Sequence, residues 1–64
     1  MFNRELLRTM RLEKHLSQVK LGKMSGLSQS YLCNLERGRY APSLKCLEAI
    51  ARALGCSPKV LIMD

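Results

Sequence analysis

Apolar side chains recur every three or four positions through most of this chain, and almost nowhere do they alternate with polar ones. Over residues 2–14 they stand at Phe2, Leu6, Leu7 and Met10, with Lys14 closing the series. That spacing predicts a helix with one apolar stripe. Arg4, Arg8 and Arg11 lie off the stripe, as does Leu12, which is expected at the surface. Ser17 precedes a second periodic run, 18–25, and a serine in that place can accept from the unpaired N–H groups of a helix start. Leu16 is placed to act as a hydrophobic staple, Leu21 and Gly22 turn inward, and Gly26 supplies the left-handed backbone of a helix stop. Leu27 alone separates Gly26 from Ser28, the next candidate cap. A third helix over 29–37 turns Leu32 and Leu35 inward and ends at Gly38. The loop Arg39-Tyr40-Ala41-Pro42 leads to Ser43, the cap of a fourth helix over 44–54 whose inward face is Leu44, Leu47, Ile50, Ala51 and Leu54. Gly55 stops it. Ser57-Pro58 opens a last short helix, because proline suits the first helical position; its apolar residues are Val60, Leu61, Ile62 and Met63. With β-branched residues scarce and no alternation, a sheet is not expected. The expectation is an all-α domain, a compact bundle of five short helices spanning residues 1–64.

Length changes what such a bundle can do. A chain of 64 residues buries only about 60% of its unfolded surface, so its margin of stability is thin. It has no room for both a core and a deep ligand pocket, which argues against an enzyme and against a ligand-sensing regulator. Charge adds a preference: 11 Lys and Arg against 5 Asp and Glu give +6. A field of that sign favours polyanions, nucleic acid before acidic protein or anionic lipid. The three cysteines, Cys33, Cys46 and Cys56, are odd in number and form no C-x-x-C pair. They make no disulfide framework, which points to a reducing, cytoplasmic setting. The N-terminus lacks the apolar run of a signal peptide, and no stretch is apolar enough to span a membrane. His15 and the cysteines are separated by 18, 13 and 10 residues; with no close ligand pair, no metal site and no cofactor are expected.

Two helices joined by a tight turn containing glycine, followed by a basic loop, have the geometry of a DNA-binding helix-turn-helix. Here they read SQVKLGKM, then SGLS, then QSYLCNLERG. Gly22 sits where the two helices must cross closely. The motifs Leu16-Ser17-Gln18, Leu21-Gly22, Gly26-Leu27-Ser28, Ser30-Tyr31-Leu32, Leu35-Glu36-Arg37-Gly38, Pro42-Ser43-Leu44 and Ala51 through Gly55, in this order and spacing, resemble the lambda repressor–Cro type, or Xre, helix-turn-helix family over roughly residues 4 to 62. The resemblance implies a five-helix DNA-binding domain whose third helix enters the major groove. The chain departs from the family at two places: alanine usually stands where Gly22 is, and glycine where His15 is.

With Leu32 and Leu35 turned inward, the opposite face of the third helix carries Gln29, Ser30, Cys33, Asn34 and Arg37. Amides of Gln and Asn can pair with both N6 and N7 of adenine, and Ser can serve several bases. By resemblance, the base-reading positions fall on Gln29, Ser30 and Asn34. Phosphates would be met by Ser17 and Gln18 at a helix N-terminus, and, in the second phosphate-facing region that the resemblance implies, by Arg39, Tyr40 and Ser43. Arg37, Lys20 and Lys23 add charge nearby. Residues 15–42 carry these four basic side chains against Glu36, a net of +3. Resemblance also pairs Glu36 with Arg11 in a structural ion pair.

Cys46 and Cys56 fall on or beside core stripes and read as small hydrophobes, whereas Cys33 lies on the groove face. Tyr31 and Tyr40 are too few and too scattered for a base-stacking platform. The last helix needs little more than Leu61 in the core, leaving Val60, Ile62 and Met63 as apolar surface for a homodimer, with Leu12 or Phe2 as candidate additions. The expected function is a sequence-specific regulator of transcription on an inverted-repeat operator in double-stranded DNA, repressing by occlusion: in the family it resembles, activators often touch polymerase through acidic residues of the second helix, and none stands there. The alternative is an antitoxin that binds a toxin protein as well as its own operator.

Overall fold

In the computed structural model, which describes residues 1–62, the order is α1 (Arg4–Glu13), α2 (Gln18–Ser25), α3 (Gln29–Glu36), α4 (Leu44–Leu54) and a single 3₁₀ turn, Pro58–Leu61. The fold is therefore all-α with four helices where five were expected. The last segment is too short for an α-turn to propagate. Ile62 is extended and forms an isolated antiparallel bridge with Phe2, and the Asn3 amide donates to the Leu61 carbonyl at 2.7 Å. One 3₁₀ turn suffices to drop Leu61 into the core while its neighbours tie the two ends of the chain together.

Every start is capped by a side-chain oxygen. Ser17 accepts from the Lys20 amide at 3.0 Å, Ser28 from Tyr31 at 3.0 Å, Ser43 from Cys46 at 3.2 Å and Ser57 from Lys59 at 3.4 Å. Asn3 accepts from Leu6 at 3.1 Å and so starts α1 at Arg4 rather than at residue 2, leaving Phe2 to the bridge. A cap of this kind contributes about 1 kcal/mol, which matters in a domain with so small a core.

That core is Leu7, Leu21, Leu32, Leu35, Leu47, Ile50, Ala51, Leu54 and Leu61. Helix α4 packs on α2 and on the 3₁₀ turn, α2 on α3, and α1 on α3. Leu44 does not join it. It is 70% exposed, because the first residue of α4, directly after the cap, lies beyond the edge of the bundle. Helix α3 ends at Glu36 with Arg37 as its C-cap, one residue earlier than expected, and Gly38 adopts φ +77°. At Gly22 an added Cβ would lie 2.5 Å from the Leu27 carbonyl oxygen; the turn between α2 and α3 is folded directly against α2.

His15 is the one non-glycine residue with positive φ among those described, at +58°. It closes α1: its amide donates to Leu12, and that of Leu16 to Arg11, each at 3.0 Å. A side chain in this conformation costs about 1–2 kcal/mol, part of which glycine would give back through its greater freedom in the unfolded chain. His15→Gly should therefore stabilise the domain by about 0.5–1 kcal/mol and raise its melting temperature by several degrees, read by thermal unfolding monitored by circular dichroism.

Candidate nucleic-acid interface

The outward face of α3 is set by its two inward leucines. Leu32 and Leu35 are fully buried, so at 100° per residue Ser30, Cys33, Asn34 and Arg37 fall on the opposite side, while Gln29, the first residue of the helix, stands on its flank. Gln29, Ser30 and Arg37 are exposed, and Cys33 and Asn34 half-buried. The other helices leave this face open.

On one flank lies the start of α2. The Arg11 guanidinium grips Glu36 from Nε at 2.7 Å and from Nη2 at 3.0 Å, and its Nη1 donates to the Leu16 carbonyl at 2.7 Å. Both side chains are almost wholly buried, 9% and 6% exposed. Gln18 adds its Nε2, donating to Glu36 at 3.3 Å. One carboxylate thus joins α1, the entry to α2 and the end of α3. The expected Arg11–Glu36 pair is present, and although Arg11 stands off the apolar stripe it is one of the buried residues of α1. Gln18, expected at a phosphate, is half-buried with its amide anchored on Glu36, next to the exposed Ser17.

On the other flank Asn34 donates from Nδ2 to the Tyr40 hydroxyl at 3.1 Å, and the Arg39 amide donates to the Asn34 carbonyl at 3.0 Å. The Tyr40 ring packs on Tyr31, centroids 5.5 Å apart at 30°. Tyr31 in turn stands beside Cys46 in the first turn of α4 and the cap Ser43, near enough for a hydrogen bond to act on both groups. Burial first, and then this bond, hold the Tyr31 phenol above its usual value, while hydrogen bonds from Ser43 and Tyr31 draw the Cys46 thiol below its ordinary one. Sequence reading took the two tyrosines as scattered and Cys46 as a small buried hydrophobe. The fold instead joins all three into a polar strut, and both Cys46 and Cys56 are only half-buried.

Arg4 was not singled out, yet its Nη1 donates to the Arg37 carbonyl and its guanidinium lies over Gly38, where a Cβ would overlap it. A cation at the C-terminus of α3 is favoured by the helix dipole. The contact spans 33 residues, and no local pattern signals it. Of the residues expected at phosphates, Ser17 and Gln18 stand at the start of α2, Arg37 at the C-cap of α3, Arg39 and Tyr40 in the loop that follows, and Ser43 at the cap of α4. Val60 and Ile62 lie elsewhere, exposed at the chain end with the 3₁₀ turn; Met63 lies outside the described residues. Among the described residues, no three His, Cys, Asp or Glu side chains converge as metal ligands, and no helix is long and apolar enough to cross a membrane.

A helix packed by two leucines, presented by a tight glycine turn and bordered by two capped helix starts, is a helix-turn-helix. The sequence profile of the helix-turn-helix family matches residues 7–61. The chain belongs to that family. It is 45% identical over 56 residues to the immunity repressor protein of Bacillus phage phi105, a stretch covering 88% of this chain and 39% of the repressor. It is 43% identical over 58 residues to the ImmF control region 10 kDa protein of the same phage, covering 91% and 64%. The chain thus spans less than two thirds of either relative. Among solved structures it resembles the P22 c2 repressor in complex with a synthetic operator, with a TM-score of 0.90 and 34% identity over 97% of this chain and 94% of that one.

Removing one member of the buried ion pair leaves a charge without a partner, which costs about 3–5 kcal/mol. A domain of this size holds only about 3–10 kcal/mol in total. Glu36→Ala should therefore leave the domain largely unfolded at 37 °C, whereas Arg11→Met combined with Glu36→Leu, which removes both charges, should lose less than either single change. Urea unfolding of Glu36→Ala, of the two single changes and of the double variant checks this.

Proposed function

We propose that the chain is a sequence-specific repressor that binds an inverted-repeat operator in double-stranded DNA as a homodimer and acts by occluding it. The observation that carries this reading is the uncovered face of α3, with Gln29 and Ser30 exposed and Asn34 at its edge, in a fold whose relative was solved on an operator. Gln29, Ser30 and Asn34 read base edges in the major groove. Ser17, Gln18, Arg37, Arg39, Tyr40 and Ser43 meet the phosphates on either side and set the register without reading sequence. Glu36, the one acidic residue of α3, is neutralised by Arg11 and so does not repel the backbone.

Size supports the dimer. The domain is 28 Å along its longest axis, less than the roughly 34 Å between successive turns of one groove. One copy therefore covers one half-site. Val60 and Ile62, 45% and 43% exposed, with Met63 beyond the described residues, provide the apolar contact that holds two copies at that spacing. Repression is favoured over activation because α2, Gln-Val-Lys-Leu-Gly-Lys-Met-Ser, bears no acidic residue. The name of the phage immunity repressor agrees with this reading; the antitoxin alternative draws no support from these relatives.

Selection of binding sites from random duplexes should return a symmetric motif with half-sites one helical turn apart; a salt-dependent affinity without any motif would refute sequence-specific binding. On the selected duplex Arg39→Ala should weaken all sequences alike and lower the slope of log affinity against log salt by about 1. Gln29→Ala should cost about 1–3 kcal/mol of discrimination at one base position per half-site. Sedimentation of the free protein over a concentration range should show a monomer–dimer equilibrium that Val60→Asp shifts to monomer.

A further inference from the structure

We infer that Tyr40 is a positioning residue for base recognition: by holding the Asn34 amide in one orientation it makes adenine the base read at that position. The inference rests on the reading above, in which α3 lies in the major groove and Tyr40 meets a phosphate.

An asparagine amide presents an oxygen and an NH₂ group of nearly the same shape, and turning it over exchanges acceptor for donor. On an exposed helix face both orientations are open, and the residue then accepts several bases. Here Asn34 is not free. Its Nδ2 donates to the Tyr40 hydroxyl at 3.1 Å. Tyr40 is itself braced, its ring packed against that of Tyr31 with centroids 5.5 Å apart. The hydroxyl therefore sits at a fixed place beside the reading face.

A phenol both donates and accepts, so by itself it would tolerate either amide orientation. A phosphate removes the choice. Phosphate oxygens only accept, so a Tyr40 that meets one must direct its proton outward and offer only lone pairs to Asn34. The amide then must point NH₂ toward Tyr40, as in the structure. One N–H is consumed; the other, with the carbonyl oxygen Oδ1, remains for the groove. A donor beside an acceptor matches N7 and N6–H of adenine. Guanine offers two acceptors, N7 and O6, and would set one against Oδ1; cytosine and thymine each offer a single partner. The contact to the backbone thus dictates the polarity of the contact to the base. Gln29, exposed and with no such brace, reads its base less stringently.

The test is site selection with the wild-type chain, Asn34→Ala and Tyr40→Phe, followed by affinities for the selected duplex carrying each of the four bases at the position whose preference Asn34→Ala abolishes. Wild type should favour adenine there about tenfold or more, in keeping with one bidentate contact. Tyr40→Phe should reduce that preference to about threefold or less while leaving preferences at the other positions intact, and should weaken all duplexes by a common factor from the lost phosphate contact. Adding Tyr40→Phe to Asn34→Ala should change no base preference further. A Tyr40→Phe variant that binds every duplex more weakly but keeps the full adenine preference would overturn the inference and leave Tyr40 a phosphate contact only. So would a wild-type preference for guanine, cytosine or thymine at that position. A wild-type chain that selects no motif at all would overturn the reading of α3 itself, and this inference with it.

Discussion

The carboxylate of Glu36 takes three hydrogen bonds from two side chains, two from Arg11 and one from Gln18, in a place almost closed to water. Arg11 spends its third on the Leu16 carbonyl. These four contacts fix where α1, the entry to α2 and the far end of α3 stand relative to one another. The leucine core by itself is indifferent to small rotations of a helix, because apolar contact has no direction. The bidentate pair does have one. The face of α3 that the chain shows to its surroundings is therefore oriented by an ion pair and stabilised by leucines, and the two jobs are done by different residues.

The same division runs through the rim. Four of the six rim side chains are also tied to the fold: Ser17 and Ser43 accept from amides of their own helices, Gln18 from its amide donates to Glu36, and Tyr40 leans on Tyr31. Such ties reduce the side-chain entropy lost when a partner binds. Arg4, lying over Gly38 and bonded to the Arg37 carbonyl, extends the pattern to the loop that leaves α3. With nine buried hydrophobic residues among those described there is little spare packing to lock a surface, so polar bonds do it.

Much of this was legible along the chain. Ser17, Ser28, Ser43 and Ser57 each cap the segment they precede, because capping is a relation between residues three or so apart. The stripes of α2, α3 and α4 were readable for the same reason, apart from Leu44. The errors fall where a distant partner competes. Phe2 reads as a helical residue and is held by Ile62 in a bridge; the last segment reads as a helix and is a 3₁₀ turn for the same cause. His15 reads as standing where the family it resembles has glycine, and its positive φ is a property of the whole turn from Arg11 to Leu16.

By itself, the order of residues determined the helices, their caps, the tight turn at Gly26 and the amide-bearing face of α3, since each follows from contacts within one or two turns. What only the folded chain decided is which of those exposed groups are free and which are bound. Tyr31, Tyr40, Asn34 and Cys46 carry no shared local pattern, and neither do Arg4 and Arg37. Their meeting depends on how four helices pack, and a hydrogen bond between residues brought together by packing leaves no periodic trace in the sequence that makes it.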